Sequence, residues 1–272
     1  MAKSYILSLC CLSILGLSLV SCSDDAPEAE TANATVNLLE QKGIAPADYD
    51  YKLWRTIADM SHKKKAEVSD DEIALIKALI TAGADLERPI YWSMAGHQTC
   101  IECLASLGLT DCLQAAFDRG YDINKKNTPL TLKDGETFDY NVGYTLLHFA
   151  AASDPDCVKF LLSKGAKILP ANDGFTPMHA AARSGKAKCL ELLLQAGAEV
   201  DCVYNSHRFD SYATPLYMAA EFGRHDCVKV LLKAGANVDF RDRCGKTPLD
   251  KAVAGGYEGC AQILRMYASG LL

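Results

Sequence analysis

The chain has 272 residues, 49% of them hydrophobic, and its 28 Lys and Arg against 34 Asp and Glu leave a net charge of −6. That is enough apolar material for one core-bearing domain of ordinary size, which excludes a wholly disordered chain. The mildly acidic balance argues against nucleic acid or an anionic membrane surface as the main partner, because both reward a basic patch.

At the start, Lys3 precedes an apolar run from Tyr5 to Val20 that is short and serine-rich for a membrane span, so residues 1–21 read as a secretory signal peptide. Its end, Leu19-Val20-Ser21-Cys22, resembles the lipobox of bacterial lipoproteins. The resemblance implies cleavage before Cys22 and lipidation of that cysteine. Residues 22–36 are acidic and small, lack large apolar side chains, and are expected to form a disordered tether. The expectation is an exported bacterial lipoprotein of the cell envelope, on the periplasmic face or the outer-membrane surface, touching the membrane only through its N-terminal lipid.

Next, Leu38-Leu39-Glu-Gln-Lys-Gly43 reads as the second half of an N-terminal cap over 37–50. A first helix is expected around 51–60, then an enlarged turn at 61–69 whose Lys63-Lys64-Lys65 run is a solvated loop, then a helix ending at Ala82-Gly83-Ala84-Asp85, so that 51–91 forms one unit. A degenerate unit at 92–124 starts near Thr99. It is found by register: Cys112 precedes Gly120 by the interval that separates Cys157 from Gly165, Cys189 from Gly197 and Cys227 from Gly235. An extended finger loop fills 125–141. Four segments then repeat one phrase: Thr145-Leu-Leu-His148, Thr176-Pro-Met-His179, Thr214-Pro-Leu-Tyr217 and Thr247-Pro-Leu-Asp250, in units at 142–170, 171–202, 203–241 and 242–272. Thr caps the orphan amides of a helix start, and Pro beside it fills the first position, where its missing amide costs nothing. The Ala pairs that follow keep the helix slim, and Gly185 and Gly223 stop it in the left-handed conformation. A second helix carries Leu161-Leu162, Leu193-Leu194 and Leu231-Leu232 as a buried row and ends at Gly165, Gly197 and Gly235.

This pattern is similar to the ankyrin repeat, most strongly over 142–268. The resemblance implies an all-α solenoid of stacked helix-turn-helix units with β-hairpin-like fingers, each unit buried only against its neighbours. It also implies a protein-binding module, with recognition on the finger tips and first helices; no enzyme activity and no cofactor are expected, and the chain is expected to be a monomer. Carried over, that face comprises Tyr144, Phe175, Arg243 and Lys246 on fingers and Arg183, Glu221 and Phe222 on first helices, residue types that dominate binding hot spots. The other reading of Tyr144 and Phe175 is packing between adjacent fingers. Thr145, His148, Thr176, His179, Thr214 and Thr247 are the structural repeat motif, in which this family's imidazoles bond within and between turns. Gly120 to Gly165 spans 45 residues and Gly197 to Gly235 spans 38, against about 33 for an ordinary repeat. The extra residues enlarge two fingers, which bring Phe138 and Tyr140, and Tyr204, Arg208 and Phe209, as loops that clasp a protein ligand.

The cysteines admit a second reading. Cys112, Cys157, Cys189, Cys227 and Cys260 share one repeated position on the second helix. Helices pack roughly 8–10 Å apart, too far for a disulfide, which makes these small buried hydrophobes. Cys202 and Cys244 fall in neighbouring fingers and could pair. His97, Cys100 and Cys103 have metal-ligand spacing, and Cys100 and Cys103 have redox-pair spacing, so the alternative function is a metal- or thiol-handling envelope protein. The competing assignment is structural packing, with no metal. The sequence holds no Gly-x-Ser-x-Gly, His-Glu-x-x-His or phosphate-cradling loop.

Overall fold

The structure, a computed structural model, describes residues 27–60, 63, 65–91, 97–128, 130–131, 137–138, 142–206 and 211–271. Residues 1–26, including the signal peptide and Cys22, lie outside the described residues. The chain divides into two compact units.

The first unit holds the residues up to Tyr91 together with Gln98–Ile101 and Asp111–Tyr121. Its helices are α1 (Pro27–Gln41), α2 (Tyr49–Met60) and α3 (Asp70–Thr81), and α1 and α2 both pack on α3. Helix α1 corrects the tether expected over 22–36, which is helical from Pro27 onward. Pro in the first turn wastes no amide, and the Ala and Glu that follow are good helix formers. Leu39, Leu53, Ile57, Met60, Ile76 and Leu79 form the core. Helix α3 starts with a reciprocal cap in which Glu72 N donates to Ser69 Oγ (3.2 Å) and Ser69 N donates to Glu72 Oε2 (3.0 Å). Lys63 is not merely solvated, because its ammonium lies 2.7 Å from Glu72 Oε1. Strands β1 (Pro89–Tyr91) and β2 (His97–Thr99) pair, and the Trp54 indole donates to Pro89 O at 2.9 Å. Helix α5 (Thr110–Asp118) ends near Arg119, whose guanidinium donates to Ile80 O and Ala84 O and so satisfies the end of α3.

Helix α4 (Cys100–Leu107) lies between β2 and α5 in the chain, and its residues from Glu102 onward belong to the second unit. That unit continues through α6 (Leu146–Ala151), α7 (Pro155–Ser163), α8 (Pro177–Ser184), α9 (Ala187–Gln195), α10 (Pro215–Glu221), α11 (His225–Lys233), α12 (Pro248–Ala254) and α13 (Glu258–Ala268). The first helices α6, α8, α10 and α12 stack on one another, as do the second helices α7, α9, α11 and α13, giving two layers. Ala150, Ala151, Ala181, Ala182, Ala219 and Ala220 are buried where first helices meet, which is why side chains this small recur there. The buried row is narrower than the leucine pairs imply. Leu161, Leu193 and Leu231 are fully buried and Leu232 is buried as well, whereas Leu162 and Leu194 are half-exposed, because consecutive helical residues point about 100° apart.

The two enlarged fingers are antiparallel hairpins. Strand β3 (Leu130–Thr131) pairs with β4 (Thr137–Phe138) with Leu130 opposite Phe138, and β5 (Tyr204–Ser206) pairs with β6 (Ser211–Ala213) with Tyr204 opposite Ala213. The fold is thus mostly helical with short antiparallel strand pairs, as an ankyrin-type solenoid requires. Among the described residues no helix is long and apolar enough to cross a membrane.

Candidate functional site

The repeated Thr-Pro-Leu-His phrase builds a buried polar spine. Thr145 N donates to His148 Nδ1 at 3.0 Å, so Nδ1 carries no proton; the proton sits on Nε2, which donates to Phe175 O of the next repeat at 3.0 Å. His179 repeats this, taking Thr176 N on Nδ1 (3.2 Å) and donating from Nε2 to Ala213 O (3.2 Å). Burial pushes both imidazoles down, His148 to about 4 and His179 to about 3, so both are neutral at pH 7. Neither reaches solvent, and both act as struts between repeats, as their motif position implies. In the next repeat Tyr217 stands at the histidine position and its hydroxyl donates to Asp242. In the last, Asp250 Oδ2 accepts from Thr247 N (2.8 Å) and lies 2.9 Å from Thr247 Oγ1.

An aromatic stack runs beside the spine and removes three expected contact residues from the surface. Tyr144 is 9% exposed, Phe175 1% and Tyr204 8%. The Tyr144 and Phe175 rings stack at 5.2 Å with 3° between planes, and Tyr204 meets Phe175 edge-on at 5.2 Å. Successive fingers place these rings in register, so each ring covers the next and leaves little face for a partner. The packing reading of Tyr144 and Phe175 is therefore the correct one, and it extends to Tyr204.

What remains accessible lies on the first-helix ends and the last finger. Arg183 is exposed, with its guanidinium 5.1 Å from the Phe175 ring centroid. Phe222 is 41% exposed at the end of α10. Beside it Glu221 is held 2.9 Å from Lys251 Nζ, and that ammonium also lies 5.4 Å from the Tyr217 ring centroid. Arg243 and Lys246 are exposed on the finger at 241–246. The carboxylate there faces inward: Asp242 accepts from Tyr217 Oη, Cys244 N and Lys246 N, and these bonds hold it below the usual carboxylate range although burial works the other way. Sequence reasoning missed Lys251 and Tyr257. Tyr257 is 39% exposed, and its ring lies so close over Gly223 and Gly255 that a methyl group on either would fall about 2.5 Å from it. The signal was available, since Tyr257 holds the repeat position of Arg224, which covers Gly185 in the same way. The side chains of Phe138, Tyr140, Arg208 and Phe209 lie outside the described residues.

Among the described residues the thiols are dispersed and in no disulfide. Cys112, Cys157, Cys189, Cys227 and Cys260 are buried and in no disulfide. Cys100 and Cys103 are also buried and in no disulfide, and burial raises the Cys100 thiol to about 12, which keeps it from the thiolate that redox or metal chemistry uses. The His97 side chain lies outside the described residues, among which no group of three His, Cys, Asp or Glu is placed to hold a metal. Cys202 is free, with its sulfur 3.3 Å from Thr176 Oγ1, and Cys244 is free and exposed. On the second helices, a groove of about 650 Å³ runs past Ala187, Val230, Ile263 and Tyr267.

A family model described as ankyrin repeats (3 copies) matches residues 101–204 and 201–270, and comparison with curated proteins gives no match.

Proposed function

Because this chain belongs to the ankyrin-repeat family, a class of non-enzymatic protein-interaction modules, we propose that it works without catalysis by binding another protein in the bacterial cell envelope. A lipid on Cys22 would hold it there, on the periplasmic face or the outer-membrane surface, where it scaffolds, inhibits or protects that partner. The observation that carries the reading is Phe222. It is a large ring left in solvent at the end of a first helix, beside the Glu221–Lys251 ion pair, in a unit that buries Tyr144, Phe175 and Tyr204. Such a ring on a rigid turn presents apolar area that needs little ordering when a partner arrives. Arg183, Arg243 and Lys246 form the polar rim, and the hairpins at 125–142 and 203–213 supply further contacts.

The test is in-cell crosslinking and affinity capture from native envelopes with the intact chain and its Phe222→Asp form. A protein recovered with the unaltered chain and lost with the variant supports the reading, whereas equal recovery removes the site. Replacing Cys22 with Ser should release the chain from the membrane fraction; retention would dismiss the lipid anchor.

A further inference from the structure

The two histidine struts are covered by different things. His148 donates to Phe175 O in the short finger at 171–176, whose Phe175 ring is stacked on Tyr144 and met edge-on by Tyr204. His179 donates instead to Ala213 O, in the last residue of β6, and the other arm of the same enlarged finger brings the Cys202 sulfur to 3.8 Å from its Nδ1 and the Tyr204 ring centroid to 6.0 Å from its ring. A fully buried imidazole thus lies beneath two strands of three residues each. Beyond that imidazole the strands are tied by Asn205 N, which donates to Asp173 O at 2.9 Å, and by Asn205 Oδ1, which accepts from Arg243.

The imidazole cannot take a second proton where it stands. Its Nδ1 already accepts from Thr176 N, and the charges that bear on it, His148 on α6 and Arg183 on α8, both oppose a positive ring. The long finger adds the Cys202 thiol and the Tyr204 hydroxyl, and the buried titratable groups of α9 and α10 are Cys189 and Tyr217, whose protons burial holds on. Asp173 accepts from Phe175 N, while Glu191 and Glu221 lie against Lys188 and Lys251; among the described residues no carboxylate is hydrogen-bonded to either ring nitrogen. A proton is therefore accepted only by a ring that reaches water. Helix α8 is packed between α6 and α10, so the short strands are the cover that yields at least cost.

We propose that His179 is an acid-sensitive latch: as pH falls, strands β5 and β6 lift from it while the stacked helices stay folded. The latch goes beyond the protein-binding reading and stands without it; a partner held by this hairpin would be released in acid. The closed ring is held at about 3 and a freed one titrates at 6.5, so closure is at full strength above pH 6.5 and weakens as pH falls from 6.5 toward 3. Between pH 7 and 4.5 the open fraction should rise roughly 70-fold for this one proton.

The test is amide hydrogen exchange on the intact chain between pH 7 and 4.5, with each rate divided by the chemical rate of an unprotected amide at the same pH. Protection of the β5 and β6 amides should lie below that of Leu193 on α9 and Leu231 on α11 at every pH, and should fall roughly 70-fold across the range. His179→Gln keeps the cap, because glutamine three residues after a helix-starting threonine can accept from its amide, but it cannot titrate, so the fall in the strands should vanish. His148→Gln should leave that fall in place, while the helix amides, which exchange when the unit opens as a whole, should respond to both variants. Strand protection that equals helix protection at each pH overturns the proposal, since the finger then opens only with the unit. So does a flat profile in the unaltered chain, or a fall in the strands that His148→Gln removes or that survives His179→Gln.

Discussion

His179 and Asp250 occupy the same place, three residues after a helix-starting threonine, but one is fully buried between repeats and the other stands in solvent on the last repeat. The difference extends along the whole phrase. Leu216 of the third repeated segment is fully buried and Leu249 of the fourth is half-exposed; Ala220 is fully buried, and Val253 at its position is 50% exposed. One sequence motif therefore does two jobs. Between neighbours it is a strut through which each repeat holds the next, and at the end it is only a helix start. Stability in such a unit is close to a sum of nearest-neighbour terms, so the same substitution should cost different amounts at the two places.

The largest difference is expected at the leucine. Leu216→Ala opens a cavity between packed repeats and should cost roughly 2–5 kcal/mol, whereas Leu249→Ala removes a side chain already touching water and should cost well under half as much. Denaturant unfolding of both variants measures this. Equal costs would mean that the last repeat is as tightly packed as the interior. Leu193→Ala should likewise exceed Leu194→Ala, and its loss of hydrogen-exchange protection should spread into the neighbouring repeats.

Next comes the histidine. His179→Ala leaves Thr176 N and Ala213 O without partners in a buried site, a loss on the order of 2–4 kcal/mol. Asp250→Ala loses a solvent-exposed cap and should shift the midpoint far less. A comparable shift in both would refute the strut assignment.

Titration sharpens the contrast. His148 and His179 have folded pKa values of about 4 and about 3, below the unfolded value of 6.5. The unfolded chain therefore binds protons first as pH falls. Stability is intact above pH 6.5 and declines through the window from 6.5 down to about 4 and about 3, by at most about 1.4 kcal/mol per pH unit for each imidazole. Asp250 is held low by its bonds to Thr247. Its contribution is present above the unfolded value of 3.8 and is lost only as pH falls through its lower folded value. Unfolding measured between pH 7 and 5 should therefore show a slope that His179→Phe reduces and Asp250→Asn leaves alone. A flat profile in the unaltered chain would contradict the buried neutral imidazoles.

The repeat itself was legible in the sequence because each position has one local cause. Threonine caps, proline starts, and glycine ends a helix, and none of these depends on what lies elsewhere. Even where the Thr-Pro start is missing, the Cys112 to Gly120 interval marks a second helix, and α5 ends just before Gly120, since a buried position keeps its register when its motif decays. Exposure was less legible. Tyr144, Phe175 and Tyr204 lie in fingers, where local reasoning puts side chains in solvent, but the stacking of one finger on the next buries them, and that is a property of the assembled unit. The same holds for Tyr257, whose exposure beside Phe222 depends on two glycines in different turns. Helix α1 was missed for another reason, because weak apolar content says nothing against a helix that Pro27, Ala and Glu favour locally.

The smallest expected effect concerns two thiols and leaves stability unchanged. Cys202 sits above the interior motif, with Thr176 Oγ1 3.3 Å and His179 Nδ1 3.8 Å from its sulfur, while Cys244 is exposed on the last finger. Burial raises Cys202 to about 11 from an ordinary 9.0, so its thiolate fraction is about 100-fold lower at neutral pH, and alkylation proceeds through the thiolate. Iodoacetamide on the folded chain should modify Cys244 well before Cys202, as read by peptide mass mapping. If Leu216→Ala loosens the interior struts, Cys202 labelling at the same pH should accelerate while Cys244 labelling does not change. Equal rates on the intact chain would mean that the finger at 203–213 opens freely over the Thr176–His179 pair, and the interior motif would then be no better shielded than the end one.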